Sequence, residues 1–400
     1  MPWSETGRMD ERARFVIEAL EGWTSMSELC EKFGVSRRIG YKWVRRFERG
    51  GFAALEDRSR ARKAQAAATP PEVVAEIVAL RQKHPTWGPR KLRARLAVLK
   101  PEVRWPAGST IGELLKREGL VKPRRRRQRS GVWASPRTEA DQPNRVWTAD
   151  FKGEFRLGCG RLCYPLTVVD ACTRYLLGCQ ALPSTATGGV RVTFERLFRE
   201  YGLPEVVRTD NGIPFSSAQA VGGLSHLAVW WIRLGIRLER TRRRHPEDNG
   251  AHERMHRTLK AEATKPARST PQLQQKGFDR FRREYNQERP HEALGQKPPA
   301  SLYRLSERSM PNRLPEIAYP EGFQRRRINL KGQFKWRGKL CFVSNTLVHQ
   351  TIGLRYSEEG FWEIFFGPAL LAQLHEGGRV VRAAAAARTT RRITGEVLPM

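Results

Sequence analysis

Three acidic residues stand where the sequence predicts that strands and helices end or begin. Asp150 lies within or at the end of a predicted strand, and Asp210 ends a second one. Asn211 and Gly212 follow Asp210, and this pair lets the backbone turn away and leaves the carboxylate pointing outward. Glu253 lies near the start of a predicted helix. If the two strands are neighbours and the helix crosses their ends, the three carboxylates meet.

Three carboxylates in one place suit the binding of divalent metal ions. Mg²⁺ takes oxygen ligands and keeps several waters. Two such ions about 3.5–4 Å apart can activate an attacking hydroxyl and stabilise the leaving oxygen in phosphoryl transfer. Taken singly, each residue has a simpler structural interpretation, because Asp is common in turns and Glu at a helix start is stabilised by the helix dipole. The three together favour a metal site.

Basic residues accompany the third carboxylate. Arg257 and Lys260 follow Glu253 by four and seven residues, so they lie near its face of the helix and can bind phosphates beside the metals. The alternative is a solvated helix face. Among the other acidic residues, Asp170 begins a tight turn, which favours a structural role.

The first 56 residues predict three helices and a helix-turn-helix arrangement. The third helix starts after Ser36, which can cap it, and runs to about Arg49. A spacing of four predicts one buried stripe, made of Ile39, Trp43 and Phe47. The other faces hold candidate DNA-contacting residues, namely Arg37, Arg38, Tyr41, Lys42 and Arg45. A small helical bundle with a solvated basic face is the alternative.

A second helical unit follows a basic, alanine-rich linker. Residues 57–70 lack periodicity, and residues 71–121 predict helices at 71–84 and 90–99 and a last helix that Ser109 caps. This unit is a candidate second helix-turn-helix. Residues 122–129 then contain six basic residues in eight, a pattern that favours phosphate contact over simple solubility. The candidate DNA-contacting residues of this run are Arg124, Arg125, Arg126 and Arg127.

The pattern changes to mixed α/β after residue 144. Strands are predicted at 145–155, 163–169 and 175–181, followed by a helix at 189–201, a strand at 204–209 and a helix at 249–263. Three antiparallel strands followed by helix, strand and helix is the order of an RNase H-like core. Past residue 321, alternating strand patterns punctuated by glycine predict a small SH3-like β-barrel. The alanine- and arginine-rich tail, 383–400, predicts disorder.

The composition is strongly basic, with 73 Lys and Arg against 41 Asp and Glu, a net charge of +32 and a pI near 10.9. Nucleic acid is the usual partner of such an excess, although ribosomal and membrane-surface proteins are also basic. The N-terminus lacks the apolar core of a secretion signal, and no apolar run is long enough to span a bilayer. We therefore expect a cytoplasmic protein with no membrane partner.

Six cysteines are scattered along the sequence. We interpret them as small, buried, apolar residues of a reduced protein. A zinc site nucleated by Cys159 and Cys163 is the alternative, but no matching His and Cys residues accompany them.

Several sequence blocks carry a family resemblance. WTADFKG, TDNG and NGAHERMHRTLK resemble the catalytic blocks of integrase-like DDE transposases from bacterial insertion sequences, which share the retroviral integrase core. YNQERPHEALGQKPPASLY, at 285–303, resembles the segment that follows this core, so the resemblance covers nearly the whole chain. Taken together the motifs are specific for this family, whereas TDNG alone would not be. One departure is the long spacing between Asp210 and Glu253, and we place the additional length in 216–235 as a loop or helix insertion.

The resemblance implies a reaction and a cofactor. Asp150, Asp210 and Glu253 become the catalytic, metal-binding triad, with two Mg²⁺ or Mn²⁺ ions per active site. The implied activity is hydrolytic cleavage at the ends of the element, followed by strand transfer of the freed 3′-hydroxyl. A basic residue near the triad glutamate typically touches the DNA end in this family, which favours Arg257 and Lys260. The partners are double-stranded DNA, as element ends and as target, and at least one further copy of the chain.

The expectations combine into a multidomain architecture for a cytoplasmic, nucleoid-associated protein. Its classes are all-α helix-turn-helix units, an α/β RNase H-like catalytic core and a small SH3-like β-barrel. The predicted segments are a helix-turn-helix domain at 1–56, a linker at 57–70, a second such domain at 71–121, a basic linker at 122–143, the core with its following helices at 144–305, the barrel at 321–382 and the tail at 383–400. A catalytically silent DNA-binding regulator and a nuclease without strand transfer are the alternatives.

Overall fold

The computed structural model of the protein describes residues 8–57, 69–121, 138–217, 220–242, 249–375 and 377–382. The chain divides into two compact units, Met1–Ala68 and Thr69–Met400, and each is described by itself. The basic run with Arg124, Arg125, Arg126 and Arg127 and the tail at 383–400 lie outside the described residues.

The first unit contains the three predicted helices: α1 (Arg8–Glu21), α2 (Met26–Lys32) and α3 (Arg37–Gly50). The side chain of Ser25 accepts a hydrogen bond from the backbone of Glu28, whose side chain bonds back, so α2 starts with a capping box. Ser36 caps α3 with its side chain alone, which accepts a hydrogen bond from the backbone N–H of Ile39. The helical prediction for this segment is confirmed.

The predicted stripe of α3 is confirmed for Trp43 and Phe47, which are partly buried and pack against the core, and it is wrong for Ile39. Ile39 is 42% exposed, and the buried residue of the helix is Gly40. A Cβ atom at Gly40 would lie 2.7 Å from Sγ of Cys30 and 2.8 Å from Cζ of Phe15. The missing side chain therefore lets α3 approach α1 and α2 closely, and this contact, which no periodicity reveals, sets the face that is buried.

The second helical unit also has three helices: α4 (Pro71–Lys83), α5 (Pro89–Leu99) and α6 (Gly108–Arg117). Leu92, Leu96 and Ile111 pack around the buried Trp87. The predicted cap by Ser109 is wrong, because α6 begins at Gly108 and its N-cap position holds Ala107, which makes no side-chain hydrogen bond.

A mixed sheet forms the centre of the second unit. Its strands are β1 (Val146–Phe151), β2 (Phe155–Arg156), β3 (Leu162–Asp170), β4 (Leu176–Leu182), β5 (Val206–Thr209) and β6 (Arg237–Arg240). β3 pairs antiparallel with β1, β2 and β4, whereas β5 pairs parallel with both β1 and β6. The predicted order of elements is confirmed. The first predicted strand is two strands, with Gly153 at a φ of 86° between them.

Helices cover both faces of this sheet. One face packs against α7 (Thr187–Tyr201) and α8 (His226–Arg233), with Trp147 of β1 fully buried between them. The other face packs against α9 (Gly250–Ala263) and α10 (Pro271–Gln287), whose apolar residues meet those of β3 and β4. Alternate residues of a strand point to opposite faces of its sheet. The side chains of β1 therefore reach both helical layers in turn.

The C-terminal region is all β. Its strands are β7 (Gln324–Arg327), β8 (Gln333–Trp336), β9 (Lys339–Phe342), β10 (Thr351–Tyr356), β11 (Trp362–Phe366), β12 (Ala369–Leu374) and β13 (Val380–Arg382). Five form an antiparallel sheet in the order β13-β12-β11-β10-β7, and β8 pairs only with β9. Among the strands that the structure describes, the two sheets do not join into a closed barrel, so the predicted SH3-like closure is not confirmed.

Helix α8 connects the two cores of this unit. Trp230 and Trp231 pack into the central sheet's cluster, whereas Val229 and Ile232 pack into the cluster of the C-terminal strands. A Cβ atom on Gly367 would lie 2.9 Å from Cγ2 of Ile232, which measures how closely the C-terminal sheet approaches the helix. Within the range 216–235, where the sequence predicts an insertion, the structure describes α8, which is buried on both sides.

The cysteine interpretation holds for most positions. Cys30, Cys163, Cys179 and Cys341 are buried. Cys159 is exposed because it lies in the turn between β2 and β3, and Cys172 is partly exposed, so the interpretation is wrong for Cys159. Within the described ranges, no helix is both long enough and apolar enough to cross a membrane.

Candidate active site

Asp150 and Asp210 lie at the same end of two neighbouring strands. β1 and β5 pair in parallel with Ala149 opposite Thr209, and each aspartate is the next residue of its chain. Both strands are short and buried, and the burial fixes their register. Asp150 is partly buried, whereas Asp210 is exposed.

The turn after β5 holds the Asp210 carboxylate. The backbone N–H of Gly212 donates to Oδ1 of Asp210 at 3.0 Å. A Cβ atom at Gly212 would lie 2.9 Å from Oδ2 of the same carboxylate, so this position accepts only glycine without a shift. The amide of Asn211 donates to the carbonyl of Thr241 at 2.7 Å. The Asp-Asn-Gly sequence thus both turns the chain and orients its acidic side chain.

Glu253 comes from the first turn of α9. The helix buries a stripe made of His252, Met255, His256, Leu259 and Ala263, and Glu253 lies outside this stripe and is exposed. A carboxylate in the first turn is stabilised by the helix dipole. The residues just before the helix, 243–248, lie outside the described residues.

Two histidines attach α9 to the sheet directly behind the carboxylates. Thr167 of β3 stands opposite Asp150 in the sheet, and its hydroxyl is 2.7 Å from Nε2 of His252 and 2.7 Å from Nε2 of His256. The same hydroxyl donates to the backbone carbonyl of Asp150 at 3.0 Å. On its other side, Nδ1 of His252 lies 2.8 Å from the hydroxyl of Thr148. These bonds fix the start of the helix relative to β1.

The three carboxylates interact electrostatically. Burial, together with the negative charges of Asp210 and Glu253, raises the pKa of Asp150 to about 7, against the opposing effects of the Phe151 backbone hydrogen bond and of Lys152. Nδ1 of His256 lies 3.8 Å from Oδ2 of Asp150. Burial lowers the pKa of His256 to about 3, so this ring is neutral and does not offset the acidic charge. The site is therefore short of positive charge beside Asp150.

The chemistry of this donor set fits a hard divalent cation, since carboxylate oxygens are the ligands that Mg²⁺ and Mn²⁺ prefer. A bound cation relieves the repulsion that raises the pKa of Asp150. In the described part of the chain, however, no three His, Cys, Asp or Glu side chains stand close enough to hold one ion together. The fold brings Asp150 and Asp210 to adjacent strand ends and Glu253 into electrostatic reach, without closing the three around one point.

The predicted DNA-contacting residues have different positions. Arg37, Arg38, Tyr41, Lys42 and Arg45 are all exposed on α3. Arg257 and Lys260 are exposed on α9, and Lys260 lies two turns beyond Glu253. The structure therefore leaves these seven side chains accessible from solvent. The basic run at 122–129 lies outside the described residues.

Sequence reasoning missed the His252 and His256 anchor. The signal was available, because the two histidines are four residues apart and alternate with Met255 and Leu259 along one helical stripe. Asp170 has the structural role that the sequence predicts: it is fully buried and accepts hydrogen bonds from the backbone of Asn144 and from the backbone and hydroxyl of Thr173.

Family models match four stretches of the chain. Two models described as Integrase core domain match residues 140–246 and 234–299. A Helix-turn-helix domain model matches residues 11–63, and a Homeodomain-like domain model matches residues 39–115. The two integrase core matches cover the central sheet with α7 to α10, and together they include Asp150, Asp210 and Glu253.

Curated relatives come from viruses and bacterial insertion elements. The chain is 30% identical over 194 residues to the Gag-Pol polyprotein of Baboon endogenous virus, and this match covers 48% of the chain and 11% of the polyprotein. It is 28% identical over 233 residues to the insertion element IS407 uncharacterized 31.7 kDa protein of Burkholderia multivorans, covering 58% of the chain and 80% of that protein. A similar insertion element IS476 protein of Xanthomonas euvesicatoria is 28% identical, with 57% and 63% coverage.

Solved structures to which the chain is similar include two viral ones. The HTLV-2 integrase catalytic core domain in complex with magnesium matches 41% of the chain and 98% of that domain, at 16% identity and a TM-score of 0.33. A chain of the simian T-cell lymphotropic virus intasome, solved in complex with PP2A regulatory subunit B56 gamma, matches 75% of the chain and 99% of its own length, at 14% identity and a TM-score of 0.35.

The class of the protein follows from the domain matches: it contains an integrase core domain preceded by helix-turn-helix domains. Beyond these domains, the chain is similar to proteins of bacterial insertion elements and to viral polyproteins.

Proposed function

We propose that the protein is a DDE transposase that binds the ends of its insertion sequence, cleaves the DNA there and joins the freed 3′-hydroxyl ends to target DNA. The observation that carries the proposal is the placement of Asp150 and Asp210 at adjacent ends of two parallel strands, with Glu253 on a helix that is hydrogen-bonded to β1 and β3. This acidic cluster is unusual in a chain with a net charge of +32, and like charges are held together at a cost only where a site needs them.

Asp150, Asp210 and Glu253 would hold two Mg²⁺ or Mn²⁺ ions. These ions would supply the positive charge that activates the attacking oxygen and stabilises the leaving oxygen in the transfer of a phosphodiester. The chain's own contribution is to orient the ligands: β1 fixes Asp150, the Gly212 amide orients Asp210, and the histidine anchor fixes the helix that carries Glu253.

The basic residues provide the DNA contacts in this proposal. The exposed residues of α3 contact the DNA of the element ends, and Arg257 and Lys260 hold phosphates close to the carboxylates. The segment with Arg124 to Arg127 follows the DNA backbone between the helical units and the core. The segments 1–56, 71–121, 144–305 and 321–382 act as separate functional domains. Two ends held together require at least a dimer on DNA, within the bacterial cytoplasm and on the nucleoid.

Cleavage and joining by the purified full-length protein test the proposal. Labelled DNA with the ends of the element is incubated with Mg²⁺ or Mn²⁺, and products are resolved by size. We expect metal-dependent nicks at the ends and joined products from the wild type. Asp210→Asn should lose both by at least about 100-fold, because a neutral amide cannot balance the charge of the ions. Glu195→Gln changes a partly exposed carboxylate of α7 that pairs with Arg199, and this variant is the control and should retain activity.

The outcome also separates the alternatives. Tight binding of the ends without cleavage in either metal would identify a catalytically silent DNA-binding regulator. Cleavage without joined products would identify a nuclease. Equal activity of Asp210→Asn and the wild type would remove the carboxylates from the mechanism.

A further inference from the structure

The loop between β5 and α8 connects the Asp210 turn to the apolar core. It contains Phe215, which is 2% exposed although its neighbour Ile213 is 74% exposed. Burial of one aromatic residue from an otherwise accessible loop indicates that this side chain holds the loop in place, because a buried aromatic of this size contributes a large apolar contact.

The ring of Phe215 lies between two elements of the site. Its centroid is 5.9 Å from that of Phe151, the residue that follows Asp150 in β1, and 6.2 Å from that of Trp231 in α8. Successive residues of a strand point to opposite faces. Phe151 therefore packs into the α7–α8 layer while Asp150 faces α9, and a ring that fixes Phe151 fixes the backbone of Asp150 as well.

Hydrogen bonds also fix the backbone on both sides of Phe215. The N–H of Ser216 donates to the carbonyl of Gly212 at 3.0 Å, and the N–H of Gly212 donates to the Asp210 carboxylate. The carbonyl of Phe215 accepts a hydrogen bond from the hydroxyl of Ser225 at 3.2 Å, and Ser225 caps the start of α8. A displacement of Phe215 is thus transmitted directly to the turn that orients Asp210.

We propose that Phe215 is a positioning residue for the metal site: it sets the separation between Asp150 and Asp210 by joining the Asp210 turn to the strand of Asp150. This inference rests on the proposed function, since it concerns the same carboxylates. It adds a specific role for a buried residue whose side chain has no polar group.

Phe198 provides a matched comparison. It is fully buried in the same cluster, packs against Trp147 at 5.8 Å and Trp230 at 5.4 Å between ring centroids, and comes from α7 rather than from the loop. Substitution of either phenylalanine by leucine removes the same atoms from the same core. Only Phe215 is connected through the loop to Asp210, so a difference between the two variants reports on positioning rather than on core stability.

The test measures Mn²⁺ binding by full-length protein without DNA, from the loss of the free-ion electron paramagnetic resonance signal. We expect Phe215→Leu to weaken Mn²⁺ binding about tenfold, the scale of lost support around metal ligands. Phe198→Leu should bind Mn²⁺ within about twofold of the wild type, although both variants unfold at lower temperature. Asp210→Asn, measured alongside, should lose the binding.

Each other outcome is decisive. Unchanged Mn²⁺ binding in Phe215→Leu, or an equal loss in Phe198→Leu, overturns the positioning role and leaves Phe215 as an ordinary core residue. Wild-type binding in Asp210→Asn instead overturns the metal site itself, and with it the proposed function, whichever way Phe215→Leu behaves.

Discussion

At the scale of single residues, the buried hydroxyl of Thr167 has three hydrogen-bond partners near the site. It is fully buried and bonds to His252, to His256 and to the carbonyl of Asp150. Burial lowers the pKa of both histidines, so they serve as neutral hydrogen-bond partners rather than as cations. The attachment of α9 therefore depends on hydrogen-bond geometry and not on charge.

Replacement of this hydroxyl should be costly. We expect Thr167→Val to lower the free energy of unfolding by about 1–3 kcal/mol, because two buried imidazole nitrogens lose their partner. Thr193→Val is the control: Thr193 is also buried, but its hydroxyl donates only to the Gly189 carbonyl of its own helix. Urea unfolding, followed by tryptophan fluorescence, measures both variants. An equal cost in the two would contradict the role of Thr167 as an anchor.

At the scale of elements, α3 shows how a glycine determines the packing of a helix. Gly40 allows Phe15 and Cys30 to contact the helix backbone. The amphipathic spacing predicts that Ile39, Trp43 and Phe47 are buried together, but only Trp43 and Phe47 pack against the core, and Ile39 is exposed. Close approach to a glycine leaves no apolar signal in the sequence, so pattern analysis cannot detect it.

The helix should therefore reject even a methyl group at this position. Alanine is favoured over glycine in a helix by about 1 kcal/mol, yet overpacking costs about 1–3 kcal/mol. We expect Gly40→Ala to lower the unfolding temperature of the N-terminal helices in calorimetry of the full-length protein. Gly188→Ala in α7, where a Cβ atom meets nothing within 4 Å, should be neutral or stabilising. A stabilised Gly40→Ala would show that the contact is loose.

Much of the element order was predictable from sequence. Apolar runs bounded by turn residues predict β1, β3, β4 and β5, and the helical period predicts α9 with its buried stripe. The break at Gly153 and the pairing of β8 with β9 alone were not predictable, because local patterns do not specify which strands pair. The carboxylates of the candidate site follow from motifs, whereas the role of Phe215 depends on tertiary contacts and leaves no signal in the sequence.

At the scale of the whole molecule, helices α4–α6 pack against the integrase core domain through charged residues. Arg95 of α5 pairs with Glu288 at 3.2 Å, and the buried Arg289 pairs with Glu262 at 2.7 Å and lies over Trp87. Lys91 of α5 is partly buried in this contact. Burial, together with the nearby charge of Arg289, lowers its pKa to about 8, against the opposing charges of Glu262 and Glu292.

The lowered pKa of Lys91 predicts a pH effect on stability. Between pH 8 and its ordinary value of 10.5, the folded chain releases this proton while the unfolded chain keeps it, so stability rises with pH in that window. At pH 7 both states are protonated and the full cost of burying the charge remains. We expect Lys91→Met to unfold at a higher temperature than the wild type at pH 7, with a difference that shrinks toward pH 10.

The control for this effect is an exposed lysine. Lys116 lies at the end of α6, and Lys116→Met should leave the difference from the wild type the same at both pH values. A constant difference for Lys91→Met across the pH range would contradict a buried charge and indicate a simple gain in apolar packing.

Helix α8 has a consequence for how such a protein can change by recombination. Because Ala228, Val229 and Ile232 belong to the core of the C-terminal sheet while Trp230 and Trp231 belong to the core of the central sheet, the boundary between these regions runs through one helix. A C-terminal sheet inherited from another family member would need its own matching helix. We therefore expect recombination to exchange the central sheet and the C-terminal sheet together, as a single block. The recombination crossover would lie before β1 rather than after α10.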